Sequence, residues 1–231
     1  MDYIKEKLVE TFIKDNRYEY ILEGLGNTMI MAISAIIIGL LLGIIISIVI
    51  NYNKETKRLK ILSSIFRLYV HIIRGTPSVL QLLIMYYIIF GSVDVNPVLI
   101  GVVAFGINSS AYVSEIIRGG IESVDYGQME AGRSIGLTYF QTMKYIILPQ
   151  GFRNSLPSLC NEFITLIKET SIAGYVGIID LTKASDIISS RTYDYLFPLM
   201  SVAIIYLIIT SLLSWGVKVI ERRLDTNVKT K

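Results

Sequence analysis

Long runs without any charged side chain set the predicted architecture of this chain. Residues 28–50, 75–93, 95–114 and 196–217 contain no Asp, Glu, Lys or Arg. A helix needs about 20 predominantly apolar residues to cross a hydrocarbon core of ~30 Å, so each run is long enough to span a membrane. Residues 156–179 have a similar length and apolar content, although three charged residues interrupt them.

These runs predict an all-α integral membrane protein with five transmembrane helices. The predicted spans are residues 28–50, 68–93, 95–116, 156–179 and 196–217. They form one transmembrane domain, residues 24–220, between a polar N-terminal helix at residues 1–23 and a tail at residues 221–231. The longest polar interruption is the loop of residues 118–153, and connections of this length usually carry function.

The distribution of Lys and Arg predicts the orientation of the spans. Fourteen of these residues fall in residues 51–67, in the 118–153 loop and in the C-terminal tail from Lys218, whereas six fall on the opposite side. Because basic residues are enriched in cytoplasmic loops, we expect the N-terminus outside, the C-terminus inside and the loop in the cytoplasm. An alternative with four spans, without residues 156–179, would divide the positive charge more evenly.

Composition agrees with a membrane protein. The chain has 231 residues, of which 52% are hydrophobic and 18% charged, and its mean hydropathy of +0.55 is too high for an ordinary soluble domain. Basic residues beside membrane spans explain the net charge of +3 without a nucleic acid partner. With Cys160 as the only cysteine, the chain can build neither an internal disulfide nor a thiolate metal site. Gly39 and Gly43 suit close helix packing, within one subunit or between two.

The 118–153 loop contains a short amphipathic helical pattern. Its apolar positions recur at helical spacing: Leu137, Phe140, Met143 and Ile147. Gly136 separates this pattern from another helical pattern upstream, and we expect Pro149 to end it. Such a helix rests on lipid headgroups or docks into a groove of a partner protein. The periodicity by itself does not distinguish these two interpretations.

The same loop carries a sequence signature. Glu130-Ala131 is followed by Gly136 six residues after the glutamate, then by Ile146 and by Leu148-Pro149. This arrangement resembles the EAA signature of the membrane subunits of ATP-binding-cassette importers, although Gly132 replaces the usual second alanine. Further segments are similar to the polar amino acid branch of these permeases: AYVSEIIRGGIESVDYGQ at residues 111–128, Arg74-Gly75-Thr76-Pro77 and Lys168-Glu169-Thr170-Ser171.

The resemblance implies a fold like that of type I ATP-binding-cassette importers. In that family the loop is cytoplasmic, and its short coupling helix lies in a cleft of the ATPase subunit. Carried over to this chain, the coupling residues are Glu130, Ala131, Gly136, Tyr139, Phe140, Leu148 and Pro149.

The resemblance also implies partners. These are ABC ATPase subunits, a second permease subunit that is identical or paralogous, an extracytoplasmic amino acid binding protein and a polar amino acid, at a bacterial cytoplasmic membrane that the chain crosses several times. ATP and Mg are expected on the ATPase subunits, with no cofactor on this chain, which is not expected to be an enzyme itself. The sequence agrees with this, since it contains no G-x-x-x-x-G-K-[ST] motif that could cradle phosphates.

Polar residues within the spans are candidates for a substrate path, because they are costly in a membrane and usually face a bundle interior or water. The candidates for the path are Ser78, Gln81, Asn108, Tyr112, Glu115, Asn161, Glu162 and Thr165. We assign gating or structural roles to Arg74, Pro77, Lys168 and Glu169. Arg74, Ser78 and Gln81 are expected on one helix face, with Pro77 bending that helix or starting it anew.

Structural alternatives stay open for the charged members of this set. Arg74 and Glu115 either extend to water or form an ion pair with each other, and Glu115 can also pair with Arg118. Glu162 either contacts the substrate or pairs with Lys168.

Three functions of different classes fit the sequence. The first is ATP-driven import of a polar amino acid, with a cationic substrate favoured if Glu115 and Glu162 line the path. The second is a small secondary carrier, driven by an ion gradient, that uses Glu162, Lys168 and Glu169 as a relay. Such carriers are commonly built from inverted repeats, and none is convincing here. The third is a membrane anchor that only recruits a partner, which leaves the polar residues in the spans unexplained. We favour the importer.

Overall fold

The computed structural model of the chain describes residues 2–229, without the side chains of residues 2–4, 55 and 224–229. This part of the chain is built from helices and contains no β-strand. The α-helices are α1 (Asp2–Leu8), α2 (Tyr18–Thr56), α3 (Lys60–Gly75), α4 (Ser78–Ile84), α5 (Pro97–Glu122), α6 (Tyr126–Ser134), α7 (Tyr139–Thr142), α8 (Leu148–Glu169), α9 (Leu181–Thr192) and α10 (Leu196–Lys229). π-Helical turns occupy Val9–Ile13, Met85–Ile89 and Met143–Ile147, and 3₁₀ turns occupy Lys14–Asn16 and Thr170–Val176.

Helix α5 lies at the centre of the molecule. In its most apolar stretch 67% of the residues are buried, against 33% in α2 and 11% in α10. Helix α2 packs against α5 at close range, because a Cβ atom added at Gly43 would lie 2.6 Å from Val113 Cγ1, and one added at Gly39 would lie 2.8 Å from Ser109 Oγ. The pair of small residues is therefore used for packing within the subunit.

Three helical stretches of the described chain are long and apolar enough to cross a membrane: Tyr18–Lys54, Pro97–Glu122 and Leu196–Arg223. The pair formed by α3 and α4 would make a fourth if it counts as one span. Helix α8 is more polar and is not among them. The predicted all-helical membrane architecture is confirmed, whereas the number of five spans stays a prediction.

The sequence predicts one separate polar helix for residues 1–23, and the described residues of this range do not form one; Met1 lies outside the described residues. A break occurs at Asp15 and Asn16, whose φ angles are 56° and 54°, and α2 then begins at Tyr18. No residue between Tyr18 and the start of the apolar run at Thr28 interrupts the backbone hydrogen bonds. The helix that contains the first predicted span therefore begins before the apolar run.

The other predicted boundaries also differ from the helices. Helix α5 continues to Glu122 and α8 begins at Leu148, so both ends of the 118–153 loop are helical. The predicted fourth span ends in a 3₁₀ turn, because α8 stops at Glu169. Hydrophobicity shows where a chain can enter a membrane, whereas backbone hydrogen bonds determine where a helix ends.

The predicted second span, residues 68–93, is not one helix. Helix α3 ends at Gly75, Thr76 has an extended backbone, and α4 begins after Pro77. The axes of the two helical segments are bent by 109°. Proline lacks an N–H group and restricts the preceding residue to an extended conformation, so Pro77 starts a new helix instead of bending one.

Pro149 does not end the amphipathic helix of the loop, contrary to the prediction. From Tyr139 the chain passes through the π-helical turn Met143–Ile147 into α8 and stays helical throughout. In this turn the Leu148 N–H donates to the Met143 carbonyl, five residues back. The π turn is wider than an α turn and accommodates a proline, which offers no N–H and crowds the preceding turn. Helix α7 and the predicted fourth span therefore form one continuous helical segment.

The beginning of α2 is joined to the segment that precedes α9. Asn27 Nδ2 donates to the Ile179 carbonyl at 2.9 Å, and the Leu181 N–H donates to Thr28 Oγ1 at 3.3 Å. Asp180 between them is buried and caps α9 by accepting from two backbone N–H groups. These contacts connect the first and last thirds of the chain at the predicted outer side.

Gly43→Ala should destabilise the protein, because the added Cβ would lie 2.6 Å from Val113 Cγ1 and 2.9 Å from the Ser110 carbonyl oxygen. Overpacking of this kind costs about 1–3 kcal/mol. Gly26→Ala in the same helix is the control, since no atom lies within 4 Å of its added Cβ. Thermal unfolding in detergent, followed by size-exclusion chromatography after heating, compares the two variants. Equal midpoints would contradict the close packing of α2 on α5.

Candidate translocation path and coupling loop

Gln81 holds the break between α3 and α4 together. Its Nε2 donates to the Ile73 carbonyl at 2.8 Å, to the Thr76 carbonyl at 3.2 Å and to Thr76 Oγ1 at 2.8 Å. The last carbonyls of a helix have no partner within that helix, and Gln81 supplies donors to them. Asn108 Nδ2 of α5 in turn donates to Gln81 Oε1 at 2.9 Å. The side chain that was assigned to the substrate path thus also stabilises the broken helix.

Glu162 is held against α5 by a hydroxyl group. Ser109 Oγ donates to Glu162 Oε1 at 2.9 Å. Ser109 is buried and Glu162 is half-buried. Glu162 Oε2 has no hydrogen-bond partner in the described part of the chain. The alternative of an ion pair with Lys168 is wrong, because the ion pairs of the described residues do not include it.

A chain of ion pairs lines a cleft between α2, α3 and α5. Lys54 pairs with Glu122 at 3.3 Å, Glu122 pairs with Arg118, Arg118 pairs with Glu115 at 2.8 Å, and Glu115 pairs with Arg74 at 3.4 Å. All five side chains border a cleft of about 660 Å³ on the predicted cytoplasmic side. Because the pairs are partly exposed, each contributes little to stability, but together they connect the ends of three helices. Arg74 and Glu115 therefore form ion pairs.

The predicted path residues of three spans meet on α5. The contacts join Gln81 to Asn108, Glu162 to Ser109, and Arg74 to Glu115 and to the ring of Tyr112. The expected stripe of Arg74, Ser78 and Gln81 on one helix face was wrong, because the break at Pro77 places Arg74 on a different helix.

The remaining candidates take part in none of these contacts. Ser78 and Thr165 are half-buried, and Asn161 is exposed. Near the end of α8, Lys168 is exposed and Glu169 is half-buried. The structure thus brings together five of the eight predicted path residues and leaves three apart.

The EAA segment folds into two short helices that pack closely on each other. Thr138 and Gln141 cap α7 reciprocally, since each side chain accepts from the backbone N–H of the other. Gly136 forms the turn with a φ of +90°, a conformation that suits glycine. A Cβ at Gly132 would lie 2.5 Å from Thr142 Cγ2. Glycine at this position, where the signature has alanine, therefore lets α6 approach α7.

The segment from α6 to the π-helical turn exposes apolar and aromatic side chains outside the predicted spans. Ile135 is 77% exposed, Phe140 54% and Tyr145 64%, while Glu130 and Ala131 are also exposed. Of the other predicted coupling residues, Tyr139 and Leu148 are half-buried and Pro149 is exposed. Exposed apolar patches of this kind mark interaction surfaces.

The loop is also connected to α2. The rings of Tyr52 and Phe140 lie 5.7 Å apart, and Phe140 contacts Tyr139 edge to face. A displacement of α7 would therefore reach α2 through this ring pair and α8 through the continuous helix.

Several of these contact residues were missed by sequence reasoning. Ser109 had a weak signal, since it follows Asn108 within an apolar run. Lys54 and Glu122 flank the first and third spans on the same predicted side, which allows but does not require a pair. Tyr52 had no signal, because its partner Phe140 is 88 residues away along the chain.

Comparison with known proteins shows the family. Residues 35–226 match the family described as binding-protein-dependent transport system inner membrane component. The putative glutamine transport system permease protein GlnP of Rickettsia typhi is 41% identical over 212 residues, which cover 90% of this chain and 94% of that relative. The chain belongs to the ATP-binding-cassette importer permeases of the polar amino acid branch.

Two further relatives agree with this assignment. The arginine transport system permease protein ArtQ of Bacillus subtilis is 40% identical to the permease over 213 residues, which cover 90% of this chain and 94% of the relative. A crystal structure of an amino acid ABC transporter with histidines has a TM-score of 0.83 and 40% identity, and the match covers 92% of this chain and 98% of that chain.

Membership of this family defines the role of the chain in outline. The permease is not catalytic itself, and separate subunits of such importers hydrolyse ATP. ATPase and binding-protein partners follow from the family. The secondary carrier that was considered from the sequence is not supported.

Gln81→Leu should destabilise the permease, because it leaves the Ile73 and Thr76 carbonyls without a donor and Asn108 Nδ2 without an acceptor. Each polar group left unsatisfied costs about 1–3 kcal/mol when buried. Gln150→Leu is the matched control, since Gln150 is exposed and donates to the Ile146 carbonyl of the preceding turn. Thermal unfolding in detergent should show a lower midpoint for Gln81→Leu alone. A similar midpoint for both variants would show that Gln81 does not hold the break.

Proposed function

We propose that the permease crosses a bacterial cytoplasmic membrane five times, with the N-terminus outside and the 118–153 loop and C-terminus in the cytoplasm. The excess of Lys and Arg on one side supports this orientation. Helix α8 serves as the fourth of the five spans, although it is more polar than the others. Glu162 on α8 is turned towards Ser109 of α5, and a span whose polar side faces protein does not need to be apolar all round.

The loop from Glu130 to Pro149 docks an ABC ATPase subunit. The observation that carries this proposal is the continuous helical segment from α7 to α8. A movement of the ATPase that displaces α7 is transmitted through this segment to the part of α8 that holds Glu162, and through Phe140 and Tyr52 to α2. ATP and Mg bind to the ATPase subunits, and the permease itself carries no cofactor.

A second permease subunit, identical or paralogous, completes the translocation path. Five helices are too few to enclose a path for an amino acid, and most of the apolar stretch of α10 is unburied within one subunit. An extracytoplasmic binding protein delivers the amino acid. ATP binding closes the ATPase dimer and turns the path outward, and hydrolysis returns it to the inward-facing state.

A cationic amino acid is the proposed substrate. Glu115 is paired with Arg74 and Arg118, whereas Glu162 Oε2 has no partner among the described residues. Glu162 is therefore the carboxylate available for a positively charged side chain. Glutamine is the second candidate, because the name of the relative from Rickettsia typhi assigns glutamine transport to that protein.

Gly136→Ala should uncouple ATP hydrolysis from transport. Its φ of +90° forces an alanine into a strained conformation, at a cost of roughly 1–2 kcal/mol, which distorts the turn between α6 and α7. Gly177→Ala is the matched control, since Gly177 has a φ of +79° and also lies in open space, but on the predicted outer side. The measurement is ATP hydrolysis and amino acid uptake in proteoliposomes that hold the permease with its ATPase and binding protein.

We expect uptake per ATP hydrolysed to fall about ten-fold in Gly136→Ala, a coupling free energy within the usual range, and to stay near the wild-type value in Gly177→Ala. Uptake that persists without any ATPase subunit would refute the proposed coupling. An equal loss in both variants would assign the effect to stability instead.

Glu162→Gln should change the substrate preference of the importer. A hydrogen bond to a charged group contributes about 1.5–3 kcal/mol, so arginine uptake should fall by about 10- to 100-fold relative to glutamine uptake. Glu169→Gln on the same helix is the control and should leave the ratio unchanged. Competition between labelled arginine and glutamine in proteoliposomes measures this ratio. Equal transport of both amino acids, unaffected by Glu162→Gln, would contradict a cationic substrate held by Glu162.

A further inference from the structure

Helix α3 has an exposed apolar face. Ile61, Ile65, Leu68 and Ile72 recur at helical spacing along it, and Ile61 is 80% exposed and Ile65 55%. The bend of 109° between α3 and α4 means that the two helices cannot both run along the membrane normal. The spacing of the exposed apolar positions on α3 is typical of an interfacial amphipathic helix.

A hollow of about 570 Å³ lies where this face begins. Its walls are formed by three basic side chains and four apolar ones: Lys57, Arg58, Lys60, Leu59, Ile61, Leu62 and Ile65. Among the residues whose side chains the structure describes, no acidic one lines the hollow, and the side chain of Glu55 lies outside that part. None of the three basic side chains forms an ion pair within the described part of the chain.

The charge of this hollow differs from that of the cleft between α2, α3 and α5. In the cleft, Glu115 and Glu122 neutralise much of the positive charge through ion pairs. In the hollow, three positive charges stand beside exposed apolar side chains, and no acidic side chain that the structure describes pairs with them. The ligand that satisfies both features has an anionic group next to a hydrocarbon chain.

We propose that this hollow binds an anionic phospholipid of the adjacent membrane leaflet. The headgroup phosphate is held by Lys57, Arg58 and Lys60, and an acyl chain lies along Ile61 and Ile65. A free phosphate ion shares the chemistry of the headgroup but makes no use of the apolar wall. The bound lipid fixes the beginning of α3 at the membrane surface, on the helix whose other end is held by Gln81 at the break before α4.

The test is the number of phosphatidylglycerol molecules that stay bound to the purified importer complex in detergent, measured by native mass spectrometry during titration with this lipid. The variants are Arg58→Gln, Lys60→Gln and the double variant. Lys218→Gln is the control, because it removes an exposed charge on the same predicted side, in α10. Arg58→Lys keeps the charge and should bind as the wild type does. The midpoint of thermal unfolding confirms that each variant is folded.

A basic residue close to an anionic lipid surface strengthens binding about five-fold, so we expect the double variant to lose roughly 25-fold in apparent affinity, with little change in Lys218→Gln. Ile61→Ser combined with Ile65→Ser should weaken phosphatidylglycerol binding as well. A double variant that binds phosphatidylglycerol like the wild type, or like Lys218→Gln, would overturn the proposal. Displacement of the lipid by inorganic phosphate, together with no effect of the two serine substitutions, would identify a free-anion site instead. None of these results depends on which amino acid is transported.

Discussion

The close approach of α2 to α5 is the constraint on which the rest of the molecule depends. Gly39 and Gly43 leave no room for a side chain between the two helices, and this contact buries the middle of α5. A buried central helix can then offer its polar side chains to helices on its other sides. Ser109 illustrates this, since it faces Gly39 of α2 and donates to Glu162 of α8. A larger residue at Gly39 would therefore disturb both the packing and the candidate path.

Polar groups at membrane depth require partners within the protein, and the break before α4 shows how this requirement is met. Thr76 and Pro77 interrupt the helix and leave carbonyls without their usual N–H partners. Gln81 satisfies two of these carbonyls, and Asn108 fixes Gln81. The candidate path residues Gln81 and Asn108 are thus also the ones that stabilise an irregular backbone. Substitutions there are expected to change stability and transport together.

The EAA loop has two connections to the membrane domain. Helix α7 continues into α8 through a π-helical turn. The rings of Phe140 and Tyr52 form the second connection, to α2, while Gly136 makes the turn between α6 and α7. On the predicted cytoplasmic side the ion pairs from Lys54 to Arg74 join α2, α5 and α3. The contacts of the loop and these ion pairs thus link α8, α2, α5 and α3.

The sequence alone determined the class of the protein, the EAA loop and the polar residues that gather around α5, because hydrophobic runs and short motifs are local properties of the chain. It did not determine that the chain bends sharply at Pro77 or that the helix continues past Pro149. It also did not determine which residues contact Glu162, Lys54 and Phe140. Pro77 and Pro149 each lack the backbone N–H that would continue a helix. At Pro77 the Gln81 side chain donates to the Ile73 carbonyl instead, whereas before Pro149 the chain forms a π-helical turn. The residues around each proline decide between these outcomes. The tertiary structure decided these features, since each rests on contacts between residues far apart in the chain.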